Sequence, residues 1–289
     1  MASPPGEAAP PASEVPSPEA SRLADFIVRH APLFVLTGAG CSTGSGIPDY
    51  RDDNGDWKHS KPVQYADFVS SDYARRRYWA RSFSGWPRME ASRPNAAHAA
   101  LAAIERAGLV ASVCTQNVDA LHQKAGSTRV IDLHGRLDKV ECLQCDARFS
   151  RTLIQEQLLR LNPGYADVSA GTAPDGDVLL ERSFEDFVLV NCDHCGGQLK
   201  PSVVFFGENV PPVRVTRAIR VLENSGGMLV VGSSLMVFSG YRFCRKAEAL
   251  GKPVAVLNRG RTRADAAVQL KVALDCGAVL TQVARLLIR

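Results

Sequence analysis

Long apolar runs are missing from this 289-residue sequence. None reaches the ~20 residues that a membrane-crossing helix needs, so no membrane partner is expected. The first twenty residues contain no lysine or arginine, which argues against a secretory leader and against an Arg-rich mitochondrial one. Rich in Pro and Ala, residues 1–20 read as a disordered tail, and the protein as cytoplasmic. An excess of either charge is lacking too. The 34 basic and 30 acidic residues leave a formal +4, which gives no reason to expect a nucleic-acid partner. The densest basic run, Arg75-Arg76-Arg77 with Arg81, reads as a solvated helix face. Cysteines number only eight; with no leader expected, they point to a reducing compartment rather than a disulfide scaffold. Arginine outnumbers lysine, which fits a high-GC bacterial origin.

What is present is an ordinary globular composition, 45% hydrophobic and 22% charged. The length suits one large α/β domain carrying an insertion. Ser21 can cap a short amphipathic helix with Leu23, Phe26 and Ile27 on one face, ended by Pro32. The apolar run 33–37 then breaks into Gly38-Ala39-Gly40, the pattern of a buried parallel strand entering a tight turn. Similar runs recur at 110–115, 130–133, 203–206, 228–231 and 254–257, with helical patterns over 95–107, 214–223 and 240–250. This alternation predicts an α/β fold: a Rossmann-like parallel sheet with helices on both faces, built from residues 21–49, 95–139 and 201–289. Residues 50–94 read as a helical insertion and 140–200 as a smaller zinc-binding insertion domain, with a flexible loop over 162–176.

Cys142-x-x-Cys145 and Cys192-x-x-Cys195 match the spacing of a tetrahedral Cys₄ zinc site. Four thiolates leave no open coordination position, so one zinc per chain is expected to hold the insertion together rather than do chemistry. Gly38-Ala39-Gly40 at a strand end resembles the start of a dinucleotide fingerprint, whose glycines let backbone amides approach a pyrophosphate. Thr43 stands where the third glycine would, and no acidic residue closes a second strand about twenty residues on. Dinucleotide bound for ordinary hydride transfer is therefore disfavoured.

The longer run Gly38-Ala39-Gly40-Cys41-Ser42-Thr43-Gly44-Ser45-Gly46-Ile47-Pro48-Asp49-Tyr50-Arg51 is followed by Thr115-Gln116-Asn117-Val118-Asp119, Leu133-His134-Gly135 and Phe205-Phe206-Gly207-Glu208. With Gly232-Ser233-Ser234 and Asn258-Arg259-Gly260 added, the chain resembles the sirtuin family over about residues 21–289. The resemblance implies NAD as co-substrate and acylated-lysine proteins or peptides as partners. In the implied reaction the acyl oxygen displaces nicotinamide from the ribose, and free lysine and O-acyl-ADP-ribose result. His134 would be the general base on a ribose hydroxyl, with Asn117 the other catalytic residue. Gln116, Asn117, Val118 and Asp119 would hold the nicotinamide and ribose side. Ile47, Pro48, Asp49, Tyr50, Arg51 and Trp57 would join Gly38, Ala39, Gly40 and Ser42 around the cofactor. Gly232, Ser233, Ser234, Asn258, Arg259 and Gly260 would receive the adenosine end, and Cys276 would flank adenine. Val204, Phe205, Phe206, Gly207 and Glu208, with Val237 opposite, would border an extended substrate peptide. On the residues alone, 116–119 also read as a turn capping a helix, and Cys276 as a small buried hydrophobe.

Tyr78 and Arg81 have the Tyr-x-x-Arg spacing with which desuccinylating sirtuins grip an acidic acyl tail. The surrounding segment 77–87 is more similar to class II sirtuins, the group containing mitochondrial sirtuin 4, which implies acyl groups other than acetyl. Protein ADP-ribosyl transfer and lipoamide hydrolysis are the alternatives on the same scaffold. A non-enzymatic zinc-ribbon binding module explains the four cysteines, but not the polar residues gathered at strand ends. The sequence carries no signal for an oligomeric state.

Overall fold

The computed structural model describes residues 15–58, 62–165 and 183–288. The first fourteen residues of the expected tail, and residues 166–176 of the expected loop, lie outside the described residues.

Strand β1 (Leu33–Thr37) sends Leu33 and Val35 into one apolar cluster and Phe34 and Leu36 into another. Strands β7 (Gly227–Val231) and β8 (Val254–Leu257) alternate in the same way. Because both faces are covered, a period-two pattern reads in the sequence as an unbroken apolar run. Helices α1 (Pro18–His30), α4 (Ala96–Arg106) and α9 (Cys276–Leu287) cover one face, and α7 (Pro212–Glu223) and α8 (Phe238–Ala249) the other.

The strands of this sheet run parallel. Strand β1 lies between β2 (Val110–Thr115) and β7; β3 (Val130–Asp132) lies beyond β2, and β8 and β9 (Leu270–Val272) lie beyond β7. The order β3-β2-β1-β7-β8-β9 is Rossmann-like. The chain winds outward from β1 in one direction and from β7 in the other, so a crevice opens where their carboxyl ends part.

A smaller antiparallel sheet, β5-β4-β6, is made of β4 (Gly135–Cys142), β5 (Arg148–Ser150) and β6 (Leu199–Val203). Around it pack α2 (Tyr65–Ser70), α3 (Asp72–Ala91) and α6 (Arg151–Leu161), which share an aromatic cluster of Phe68, Tyr78, Trp79, Phe83, Trp86 and Phe187. Arg151 is buried in it between the Trp79 and Trp86 rings, 5.3 and 5.1 Å from their centroids, and burial lowers its pKa to about 10. The four-residue helix α5 (Leu121–Lys124) follows β2.

Three expectations are corrected. Helix α1 starts at Pro18 rather than Ser21: the Ser17 hydroxyl accepts the Ala20 N–H, and Pro18 fits the first turn, whose N–H has no partner inside the helix. The run 203–206 is not a strand of the parallel sheet. Gly135, at φ +84°, turns the chain out of β3 so that β4 pairs Gly135 with Val203, and a Cβ there would lie 2.0 Å from the Ser202 carbonyl. The small sheet therefore takes in residues on both sides of the expected 140–200 insertion. Finally, the basic run is a solvated face only in part: Arg77 is exposed, but Arg75 and Arg81 are buried. Arg75 donates to the Phe68 and Val69 carbonyls, both at 3.1 Å, and so closes the end of α2.

Candidate active site

A cavity of about 760 Å³ occupies the crevice at the carboxyl ends of the parallel strands. Its size suits a small-molecule site. Setting the four paired cysteines aside, every site residue named from the sequence lines it except Pro48 and Arg81. Pro48 lies between the lining residues Ile47 and Asp49. Arg81 is buried in α3 one turn beyond Tyr78, which does line the cavity.

The glycine loop after β1 lies against the loop after β7. Gly38 N–H donates to Val231 O at 3.0 Å and Gly40 N–H to Gly232 O at 2.9 Å. A Cβ on Gly38 would sit 2.8 Å from both Gly232 O and Ser233 Cβ. Close loop packing is thus what demands glycine here. The Gly38 and Gly40 amides bond to the neighbouring loop, while Gly38, Ala39 and Gly40 all line the cleft.

The residues after β2 are held by a connected set of hydrogen bonds. Asn117 Nδ2 donates to Gly38 O at 3.0 Å and to Ser42 Oγ at 2.9 Å, and Ser42 Oγ donates to Asp119 Oδ2 at 2.7 Å. The other Asp119 oxygen accepts Leu121 N–H at the start of α5, so the capping role and the cleft position coexist in one side chain. Gln116 Nε2 reaches across to Ser233 Oγ at 2.8 Å and ties the two halves of the sheet together.

His134 follows β3. Its Nδ1 lies 2.9 Å from the Gln116 carbonyl, which can only accept, so Nδ1 carries the proton and Nε2 presents its lone pair. Ser239 Oγ, 2.8 Å away on α8, donates to that lone pair. Burial brings the His134 pKa down to about 4; the Gln116 carbonyl opposes the fall, and the Arg214 and Arg242 guanidiniums add to it. The imidazole is therefore neutral near pH 7 and able to accept a proton. Ser239 and Arg242 also line the cleft; the sequence puts both in a second peptide-flanking strand with Val237, whereas they lie in α8. Only the topology brings α8 over a histidine 105 residues away.

One wall is made by the segment after Ile47. Arg51 Nη1 donates to Gly55 O at 2.6 Å and its guanidinium stacks on Trp57 at 4.1 Å, while Asp49 pairs with Lys58 at 2.6 Å. Tyr50, Trp57 and Phe206 meet edge to face. On the expected peptide segment, Glu208 accepts from Phe205 N–H at 2.8 Å and from the buried Lys200 Nζ at 3.1 Å, so its carboxylate shapes the loop. Lys200 is a further residue whose role the sequence did not single out.

Beyond the cleft, Cys142 and Cys195 sulfurs lie 3.5 Å apart, Cys145 and Cys192 sulfurs 3.7 Å apart, and all four within 4.8 Å of one another. Bonds of about 2.3 Å to one tetrahedral zinc require sulfurs roughly 3.8 Å apart, so the set fits one structural zinc. His194 is not in this set and lies against Phe149.

Comparison with known proteins supplies the family. The Sir2 family profile matches residues 38–239. An NAD-dependent protein deacetylase of Xanthomonas axonopodis pv. citri is 55% identical over 267 residues, covering 92% of this chain and 91% of its own. One of Bordetella bronchiseptica is 53% identical over 262 residues, covering 90% and 96%. A solved Sir2 complex with a p53 peptide and NAD+ superposes with a TM-score of 0.69 at 31% identity, covering 91% of this chain and 95% of that one. A Sir2 variant with deacetylated p53 peptide and 3'-O-acetyl-ADP-ribose gives 0.74 at 30% identity, covering 92% and 98%. With its parallel sheet, its glycine-loop cleft and its cysteine tetrad, the chain belongs to the Sir2 family, the sirtuins, for which NAD is the co-substrate.

Proposed function

We propose that this chain is an NAD-dependent protein-lysine deacylase that releases nicotinamide and O-acyl-ADP-ribose. The observation that carries the reading is His134: a neutral imidazole whose Nδ1–H is fixed on the Gln116 carbonyl and whose Nε2 lone pair faces a glycine-walled cleft. NAD supplies a ribose carbon bearing a good leaving group. His134 Nε2 takes the proton of a ribose hydroxyl, and the Gln116 carbonyl steadies the imidazolium that forms. Asn117, Ser42 and Asp119 orient the nicotinamide and ribose side, and the wall built on Tyr50, Trp57 and Phe206 limits water. The relatives named as deacetylases, and the solved complex with a deacetylated peptide and 3'-O-acetyl-ADP-ribose, support the same chemistry.

Within this activity, acyl groups bulkier than acetyl are the preferred substrates. The resemblance of segment 77–87 to class II sirtuins supports this, as does the Tyr78 side of the cleft, where Val63 and Phe205 also lie. Acetyl, glutaryl-type and lipoyl peptides are incubated with NAD and the products weighed by mass spectrometry. Peptide-dependent nicotinamide release with O-acyl-ADP-ribose supports the deacylase, and fastest turnover of acetyl defeats the acyl preference. Label from NAD bound covalently to protein, without deacylated peptide, defeats the deacylase in favour of ADP-ribosyl transfer.

A further inference from the structure

A second group of metal-ligating side chains lies beside the glycine loop, apart from the cysteine tetrad. Cys41 closes the single turn after β1, His98 stands in the first turn of α4, and His122 is in α5. All three are at most 2% exposed, and none lines the cleft. One ligand atom from each lies within 4.8 Å of the others, and the two imidazole rings meet edge to face at 4.7 Å.

Each imidazole has one nitrogen engaged. His98 Nδ1 lies 3.0 Å from Asn95 Oδ1, which can only accept, so Nδ1 carries the proton and Nε2 the lone pair; His122 Nε2 lies 2.9 Å from Thr37 Oγ1. His98 Nε2 and His122 Nδ1 are left buried with no partner among the described residues. A buried polar nitrogen is expensive to leave unpaired, and these two lie beside a thiol.

We propose that Cys41, His98 and His122 form a second metal site, for a zinc-like divalent cation held by Cys41 Sγ, His98 Nε2 and His122 Nδ1. A thiolate with two imidazoles is a donor set suited to zinc. As the metal–sulfur bond forms, the Cys41 S–H bond breaks and its proton leaves to solvent; each imidazole contributes a lone pair and loses nothing. Burial keeps both imidazoles in the neutral, ligating form: it lowers His122 to about 3, and lowers His98 against the pull of Asp119. Burial, with Asp119 among the nearby groups, holds the Cys41 thiol well above its ordinary pKa, so the cation must displace a firmly held proton. Bonds of about 2.3 Å to sulfur and 2.0–2.1 Å to nitrogen would draw the three ligand atoms to roughly 3.5 Å from one another. Gly40 and Ser42, the neighbours of Cys41, line the cleft, which couples metal occupancy to the cofactor loop.

The site stands independently of the catalytic reading, and its test counts metal rather than turnover. The full chain is saturated with Zn2+, desalted, and its metal counted by plasma mass spectrometry. Two equivalents are expected for the wild type and one for Cys41→Ala, with thermal melts checking that the variant folds. One equivalent in the wild type, as a single buried water between the imidazoles would give, overturns the proposal, and so do two in Cys41→Ala. Should Cys41→Ala fail to fold, wild-type crystals soaked in Co2+ decide. An anomalous peak among the three side chains supports the site, and its absence refutes it.

Discussion

Ser239 Oγ and His134 Nε2 lie 2.8 Å apart, so the lone pair proposed to accept the ribose proton is already engaged by a hydroxyl on α8. That bond and the Gln116 contact fix the imidazole from both ends. Removing one such bond costs about 0.5–1.5 kcal/mol. Nε2 has one lone pair, so the ribose hydroxyl must displace Ser239 Oγ, and Ser239→Ala should raise kcat/KM roughly two- to tenfold, whereas Ser239→Thr keeps the hydroxyl and the native rate. His134→Ala should lose at least ~100-fold. An unchanged or lower rate in Ser239→Ala would show that this hydroxyl does not compete for the base.

The pH dependence follows from the same ring. Its native pKa is about 4 against an ordinary 6.5, so kcat/KM should hold level near neutrality and fall as pH drops through about 4. Stability should move in the same direction. Between pH 6.5 and about 4 the unfolded chain binds a proton on His134 that the native chain does not, so stability declines as pH falls across that window. The slope from this residue is at most about 1.4 kcal/mol per pH unit. Urea midpoints of wild type and His134→Ala, compared across the window, isolate it; identical slopes would contradict the assignment.

Gly38→Ala places a methyl group 2.8 Å from Gly232 O and Ser233 Cβ. The loops after β1 and β7 must part, at a cost of about 1–3 kcal/mol for overpacking. Calorimetry should show weaker NAD binding together with a lower Tm. Native affinity in a fully stable variant would mean that the close approach of these loops is not required.

Stripping the tetrad metal should loosen the small sheet before it touches the chemistry. Cys142 and Cys192 belong to the same buried cluster as Trp79 and Trp86, and β4 begins next to His134. Graded chelation should change tryptophan fluorescence before activity falls, with zinc restoring both. Loss of activity at constant fluorescence would indicate a catalytic metal instead.

The parallel core was legible because strands buried on both faces keep a continuous apolar signal, as in 33–37 and 228–231. The three-residue strand β9 was not, being too short to show a period. The run 203–206 misled because its apolar character is shared by a strand that pairs with β4 and a loop that lines the cleft. Arg75 was misread because its sequence neighbours are charged, while its burial comes from capping the helix before it. The cysteine tetrad and His134 were found through short local signatures. Ser239, Arg242 and Lys200 act on residues that only the fold brings near, and no local spacing marks them.

The central claim is that the His134 imidazole abuts the sugar of bound NAD. Crystals of the wild type grown with NAD and an acylated peptide test it most directly. A ribose hydroxyl within roughly 2.6–3.2 Å of His134 Nε2, or one water away, is the predicted result. A dinucleotide whose ribose lies elsewhere, out of reach of that nitrogen, would contradict it.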